Sequence, residues 1–392
     1  MTDRPLKLAL VAGEVSGDLL GADLVRALRQ RHGAVELVGV GGEEMEAQGL
    51  VSLFDYSELS IMGLSQVLAR LPNLVRRISQ TANAIIAARP DVLVIIDSPD
   101  FTHRVARKVR AGLPDLPIVD YVCPSVWAWK PERAQRMRPY VDHVLAVLPF
   151  EPEVMARLGG PSTTYVGHRL VVDPNVRAVR AAQAARAASG LGRPATCLVL
   201  PGSRSSETSR LLPPFREAVE ELAQRQPGTR FLLPTVPRQA ERVKAAIADW
   251  RVKPEVTVGA TAKWAAFAEA DAAIAASGTV ILELALCGIP VVSTYKADFL
   301  IRMMHKRIRI WSANLPSLIA DYPVVPEYFN ESVRPGALAR WLERLSADTA
   351  ERRTMLEGYQ RVWEIMSTDI APGEKAAEIV LGCCARKGGQ PA

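Results

Sequence analysis

Three short polar clusters in this chain combine residue types that could do chemistry. The first is Leu200-Pro201-Gly202-Ser203-Arg204, at the end of an apolar run. Glycine lets the backbone approach a ligand closely, the serine offers a hydroxyl, and the arginine offers a two-pronged cation. That set suits a diphosphate; the plainer alternative is a surface turn with an ordinary arginine. The second is Ser277-Gly278-Thr279, between an alanine-rich apolar run and a second apolar stretch that contains Glu283. If Ser277-Gly278-Thr279 is a turn and a helix runs from Val280 onward, the helix's free N–H groups and positive dipole end favour phosphate oxygens. Thr279 and Glu283, four apart, share one helix face. A carboxylate one turn from a phosphate site can hold ribose hydroxyls, as in dinucleotide folds. The alternative is an N-capping Ser or Thr with a solvent-facing glutamate, which the apolar neighbours of Glu283 disfavour. The third cluster is Asp97-Ser98-Pro99-Asp100, where one carboxylate could act as a general base on a hydroxyl nucleophile. The other would cap the following helix, and Asp100 is the expected cap. Glu14 and Asp18 are rival carboxylates in Gly13-Glu14-Val15-Ser16-Gly17-Asp18.

Two further groups carry size and greasiness. Trp127 and Trp129 stand two apart in a chain with only 6% aromatic residues, and could line a sugar or acyl pocket or simply pack on a sheet. Apolar residues at Ile61, Leu64, Leu68, Leu71, Val75 and Ile78 form a helical stripe beside Met62, with Arg70, Arg76 and Arg77 alongside and Pro72 interrupting. A second basic and apolar stretch runs from Phe299 to Trp311. Such helices can lie on an anionic membrane, although most pack on a core. His103, Arg104, Arg107, Lys108 and Arg110 make a basic helix just after Asp97 that could attract a phosphorylated or membrane-bound substrate.

The elements that must position these residues alternate. Short buried runs at Leu6–Val11, Leu37–Val40, Val92–Ile96, Ile118–Val122 and Val144–Leu148 are separated by helical patterns. This is the signature of a parallel sheet with crossover helices, whose ligands sit beyond the carboxyl ends of the strands. An Ala/Arg-rich stretch around Pro174–Pro194 reads as a linker and polar helix. The alternation restarts at Cys197–Leu200, Phe231–Leu233, Val256–Val258, Ala273–Ala275 and Ile289–Ser293. The chain is therefore expected to be α/β, with two Rossmann-like halves facing a cleft: residues 1–172, then 190–345. A helical segment, 346–392, packs back on the first domain or on a partner subunit. The 392 residues support a large core without staples.

Several classes are excluded. Neither half has a G-x-G-x-x-G after its first strand, and G-x-x-x-x-G-K-[ST] is absent, which demotes dinucleotide and P-loop chemistry. Cys123, Cys197, Cys287, Cys383 and Cys384 are scattered, so no zinc site is expected and reduced thiols in a cytosolic compartment are. A net charge of +6 is too small and dispersed to argue for nucleic acid. Thr2, Asp3 and Arg4 lead straight into a strand, so no signal peptide is expected, and no apolar stretch reads as a membrane span.

Together, Ala12-Gly13-Glu14-Val15-Ser16-Gly17-Asp18, Ile61-Met62-Gly63, Asp97-Ser98-Pro99-Asp100-Phe101, Pro124-Ser125-Val126-Trp127-Ala128-Trp129, Leu148-Pro149-Phe150-Glu151, Gly167-His168, Leu200-Pro201-Gly202-Ser203-Arg204 and Ala276-Ser277-Gly278-Thr279 resemble lipid-A-disaccharide synthase, the bacterial family-19 glycosyltransferase, nearly end to end. The resemblance implies a GT-B fold with the donor nucleotide in the C-terminal domain. It implies transfer, with inversion, of 2,3-diacylglucosamine from UDP to the 6-hydroxyl of 2,3-diacylglucosamine 1-phosphate, giving the β-1′,6 disaccharide and UDP. It implies a peripheral enzyme on the inner face of the bacterial inner membrane, with no cofactor or metal. Catalytic importance carries over to Asp97 and Arg204 by motif position, with Glu14 the rival base. Gly202, Ser203, Arg204, Ser277, Gly278, Thr279 and Glu283 would hold UDP. Ile61, Met62, Leu64, Leu68, Leu71, Val75, Trp127 and Trp129 would meet acyl chains or the bilayer. Two positions depart from the family pattern. Asn314-Leu315-Pro316-Ser317-Leu318 exchanges the family's serine and asparagine around Leu-Pro, so the asparagine's role does not pass to Ser317, and Asn314 is the open candidate. Arg169 follows His168 where the family often has proline. The rival readings are a UDP-GlcNAc 2-epimerase of the same fold and a non-catalytic nucleotide-sugar or lipid-binding protein. The sequence leaves oligomeric state open.

Overall fold

In a computed structural model, residues 4–59, 64–191, 194–297 and 310–387 are described, with backbone alone for 64–71 and 386–387. The chain forms two compact units, residues 1–169 with 368–392, and residues 170–367.

The first unit holds β1 (Leu6–Ala12), β2 (Val35–Val40), β3 (Val92–Ile96), β4 (Ile118–Tyr121), β5 (His143–Ala146) and β6 (Ser162–Tyr165). They form one parallel sheet in the order β2-β1-β3-β4-β5-β6. Strands β1 and β3 are buried almost throughout, so both faces need cover. Helices supply it. Ile78, Ala82, Ile85, Val105 and Val109 pack on one face, and Leu20, Leu24, Val25 and Leu28 on the other. The Val15–His32 helix on that second face packs against the Pro372–Lys387 helix, which adds Ala376, Ala377, Val380 and Cys383 to the same core.

The second unit repeats the plan with β7 (Thr196–Leu200), β8 (Arg230–Thr235), β9 (Glu255–Val258), β10 (Ala272–Ala276), β11 (Val291–Tyr295) and β12 (Glu327–Phe329). The order is β12-β11-β10-β7-β8-β9, all parallel. The helices over Pro335–Leu345 and Ala350–Met366 belong to this unit.

Two sequence expectations change here. The Pro174–Ser189 helix belongs to the second unit and is no linker. Gln183 Nε2 donates to the carbonyls of Phe267 and Ala270 at 2.8 and 2.9 Å, and Arg186 pairs at 2.7 Å with buried Asp271. Its Ala/Arg composition hides this, because the anchors are polar. The segment 346–392 is also not one piece, since 350–366 packs in the second unit and 372–387 in the first.

Each sheet is doubly wound. From β1 the chain builds outward through β2 on one side and β3 to β6 on the other, so the winding reverses between β1 and β3. In the second sheet it reverses between β7 and β10. A crevice forms outside the carboxyl ends of strands at such a reversal. The four loops that leave β1, β3, β7 and β10 carry Glu14, Asp97, Gly202–Arg204 and Ser277–Thr279.

Candidate active site

In the second unit the β7 and β10 loops open on a cavity of about 630 Å³. The expected UDP-binding residues Gly202, Ser203, Arg204, Ser277, Gly278, Thr279 and Glu283 all line it. Three helices begin at its wall, at Ser205, Ala260 and Thr279. The last two start after glycines, Gly259 and Gly278, with no side-chain cap, so their first N–H groups face outward without a competing side-chain acceptor. Converging helix N-termini make an anion site from backbone alone.

The side chains are less free than their types suggest. Glu283 receives Lys263 Nζ at 3.0 Å on both carboxylate oxygens, and the same ammonium lies 4.0 Å from the Trp264 ring centroid. Arg204 donates to Glu207 Oε1 at 2.9 Å, while Glu207 Oε2 accepts from the Arg204 backbone N–H at 3.4 Å. Glu207 thus closes the first turn of the Ser205–Arg225 helix and aims the arginine. Gly202 has φ +102, and a Cβ there would lie 2.5 Å from Glu207 Oε2 and 2.8 Å from Glu207 Cβ. Ser277 Oγ donates to the Ala313 carbonyl at 3.1 Å, which leaves it an acceptor towards a ligand. Sequence reasoning missed Lys263, Glu207 and Gly259. The Arg204-x-x-Glu207 spacing is a helix-start signal; Lys263, alone in an alanine-rich helix, gives none.

The first unit brings Asp97 and Glu14 to the ends of neighbouring strands, since Ala12 pairs with Ile96. Asp97 and Ser98 both have positive φ, +52 and +46, a strained turn for two residues with side chains. The turn is tied down on every side. Asp97 N–H donates to the Tyr121 carbonyl at 3.1 Å, Ser98 N–H to Asp97 Oδ1 at 2.8 Å, and Thr102 Oγ1 to the Asp97 carbonyl at 2.7 Å. Ser16 Oγ approaches Asp97 Oδ2 at 3.4 Å. Gly13 must be glycine, because a Cβ would sit 2.7 Å from Ser98 Oγ. Ser98, not Asp100, occupies the N-cap position of the following helix. Asp100 lies in the first turn, where Arg133 approaches it at 3.6 Å.

The other rival carboxylate has a structural post. Asp18 is buried and accepts the backbone N–H groups of Gly42, Glu44 and Met45 at 2.8, 2.9 and 3.1 Å. Trp127 takes the packing position, with Nε1 donating to Glu151 at 3.2 Å and its ring edge-on to Phe150 at 5.4 Å. Trp129 carries Lys130 over its ring at 4.1 Å. Glu151 is buried and also accepts from Val147 and Leu148 N–H at 3.2 and 3.0 Å. Burial outweighs those donors and pushes its pKa up to about 8.

Of the basic and apolar stripe, Ile61 and Met62 lie outside the described residues, the backbone of Leu64, Leu68 and Leu71 is helical, and Val75 is half-exposed. Arg77 is held by Glu58 and lies over Phe54, so it serves the fold. Most of the 299–311 stretch lies outside the described residues. Asn314 caps its helix by accepting Ser317 N–H at 2.9 Å, and Ser317 Oγ accepts Val324 N–H at 3.0 Å; both are fully buried. No helix among the described residues is long and apolar enough to cross a membrane, and these residues contain no cluster of three or more His, Cys, Asp or Glu side chains able to hold a metal.

Two doubly wound parallel units, one with a cavity of about 630 Å³ at its winding reversal, define the GT-B class. Solved structures agree on the fold. UDP-GlcNAc 2-epimerase from Neisseria meningitidis, bound to UDP-GlcNAc, superposes with a TM-score of 0.58 at 13% identity, covering 97% of this chain and 100% of its own. A glycosyltransferase from Rickettsia africae superposes with a TM-score of 0.54 at 13% identity, covering 99% and 100%. At the sequence level, the Lipid-A-disaccharide synthetase family model matches residues 8–368. Lipid-A-disaccharide synthase from Nitrobacter winogradskyi is 50% identical over 378 residues, 96% of this chain and 95% of the relative. The chain belongs to the lipid-A-disaccharide synthase family, and it is a hexosyltransferase. The epimerase reading falls, because that likeness is one of fold alone.

Proposed function

We propose that the second unit binds UDP-2,3-diacylglucosamine and the first presents the 6-hydroxyl of 2,3-diacylglucosamine 1-phosphate. The observation that carries this reading is the convergence of three helix N-termini with Gly202, Ser203 and Arg204 on one cavity at the β7/β10 reversal. The diphosphate lies against those N–H groups and Arg204, which take up the charge that develops as UDP leaves. Ribose hydroxyls hydrogen-bond Glu283, whose charge Lys263 balances.

Asp97 is the base. It takes the proton of the 6-hydroxyl, the oxygen bonds to the anomeric carbon from the face opposite the nucleotide, and the carbon–oxygen bond to UDP breaks with its electron pair leaving on the phosphate. One displacement inverts the anomeric centre and gives the β-1′,6 disaccharide. The pinned turn supports this role by holding the carboxylate's backbone in a conformation the chain would not adopt alone. Glu14, on the neighbouring strand end, is the rival base. The stripe from Ile61 to Val75 seats the enzyme on the inner face of the inner membrane or receives acyl chains. Trp129 meets the acceptor.

Calorimetry with UDP and steady-state release of UDP test the reading. Asp97→Asn lowers kcat by about 10²–10⁴-fold, the usual contribution of a positioned base, and leaves UDP affinity within twofold. Arg204→Ala weakens both. Full turnover by Asp97→Asn alongside loss by Glu14→Gln moves the base to Glu14, and absence of UDP binding to the wild type rejects the donor assignment.

A further inference from the structure

The first unit holds a second cavity, about 220 Å³, where the Pro99–Gly112 helix starts. Arg104 and Arg107 reach it from that helix, and Lys130, Arg133 and Arg136 from the segment after β4. Asp100 and Glu132 are its two carboxylates, so five cations leave a net charge of +3. Asp100 faces Arg133 at 3.6 Å, and among the described residues no carboxylate lies within ion-pair distance of Arg104, Arg107 or Arg136. The neighbouring basic residues behave differently. Arg110 pairs with Asp142 at 2.6 Å and Lys108 donates to Ser79 at 2.8 Å, so both are committed to the fold.

A buried chain of polar groups fixes one of the cavity's cations. Arg107 lies over the Tyr140 ring at 4.7 Å and donates to its hydroxyl at 3.3 Å. That hydroxyl meets His103 Nδ1 at 3.1 Å, and His103 Nε2 faces Asp120 at 3.2 Å. His103, Tyr140 and Asp120 are all buried. With the His103 proton on Nε2, toward the carboxylate, Nδ1 accepts from Tyr140 and the Tyr140 oxygen accepts from Arg107. The remaining N–H groups of Arg107 are left for the cavity. Crowded like charges repel unless an anion sits among them, and arginine forks match the geometry of phosphate oxygens.

We infer that this cavity binds a phosphomonoester and, resting on the transfer reading above, that it takes the 1-phosphate of the acceptor sugar. The 6-hydroxyl and the anomeric phosphate branch from C5 and C1, the two carbons that flank the ring oxygen, so they lie near each other. Helix side chains lean toward the N-terminus, and Arg104 and Arg107 reach back into a cavity that Pro99 and Asp100, just after the Asp97 turn, also line. Gripping the phosphate there holds the adjoining 6-hydroxyl beside Asp97. The cavity is a specificity device: it rejects a sugar that lacks the phosphate.

The test compares kcat/KM for UDP release with diacylglucosamine 1-phosphate and with the same diacylated sugar lacking phosphate. The wild type prefers the first; Arg104→Ala/Arg107→Ala lowers that preference at least tenfold, with UDP affinity unmoved. Lys130→Ala/Arg136→Ala, on a separate segment, does the same and serves if the helix variant fails to fold. An unchanged preference in folded variants overturns the assignment. If the wild type releases no UDP with either acceptor, the transfer reading has failed on its own, and calorimetry with glucosamine 1-phosphate decides the cavity. Binding by the wild type that both variants lose keeps it as a phosphomonoester site, and no binding removes it. Vesicles separate the remaining source of phosphate. Variants that lose binding to phosphatidylglycerol vesicles but keep the acceptor preference assign the cavity to lipid headgroups and overturn the acceptor assignment.

Discussion

Replacing Gly202 by alanine perturbs the donor cavity through a single methyl group, and the geometry sets its size. The residue has φ +102, where a side chain costs about 1–3 kcal/mol. The new Cβ would also stand 2.5 Å from Glu207 Oε2, so Glu207 must leave its rotamer, for about another 1 kcal/mol, and the 2.8 Å approach to Glu207 Cβ yields only to a backbone shift. The exposed Arg204–Glu207 pair adds little of its own. The sum, about 2–4 kcal/mol, lowers the melting temperature of a unit this size by roughly 5–15 °C. Because Glu207 aims Arg204, UDP affinity falls at least tenfold in the same variant. Differential scanning calorimetry and UDP titration measure both. Glu207→Ala separates the causes: in that background Gly202→Ala no longer meets the carboxylate, so its cost shrinks to the backbone share and the Cβ contact, and the cycle shows non-additivity. A Gly202→Ala protein with wild-type melting and UDP affinity within twofold would refute the description of this turn.

Three other outcomes follow from buried or paired charges. Asp18→Ala strands three backbone N–H groups and destabilises by about 3 kcal/mol, read as a lower urea midpoint, while UDP affinity stays put. Glu151, lifted to about 8 by burial, binds a proton in the folded state that the unfolded chain releases near 4.5. The stability this gives is fully present below 4.5 and is lost as pH rises through about 8, at no more than about 1.4 kcal/mol per pH unit. Glu151→Gln removes the titration, so the melting temperature of the variant relative to wild type climbs from pH 5 to pH 8.5; a constant difference would show that Glu151 stays ionised throughout. Lys263→Ala leaves Glu283 unbalanced at the donor cavity and weakens UDP at least tenfold, with Lys263→Arg recovering part of the loss.

The central strands were legible because burial on both faces makes them short unbroken apolar runs, as in Val92–Ile96 and Thr196–Leu200. Strands β6 and β12 were not, being edge strands of four and three residues, Ser162–Tyr165 and Glu327–Phe329, with little apolar content. The loops after β1, β3, β7 and β10 stood out because glycine, proline and charge interrupt apolar sequence there. What a sequence does not display is which charges already have partners. Asp18 and Glu14 look equivalent in one motif, yet Asp18 is consumed by three N–H groups from around Gly42, more than twenty residues away. The basic run from His103 to Arg110 reads as one face, whereas burial takes His103 inward, Asp142 takes Arg110, and Arg104 and Arg107 line the smaller cavity. Only three-dimensional neighbours sort such residues.

The Pro372–Lys387 helix makes the first unit depend on a segment that comes after the whole second unit in the sequence. Ala376, Ala377, Val380 and Cys383 complete the apolar layer under Leu24 and Leu28. A nascent polypeptide emerging from the ribosome therefore exposes that layer until residues 372–387 have followed the whole second unit out. A chain cut near residue 368 would keep the second unit intact and strip the first of its cover.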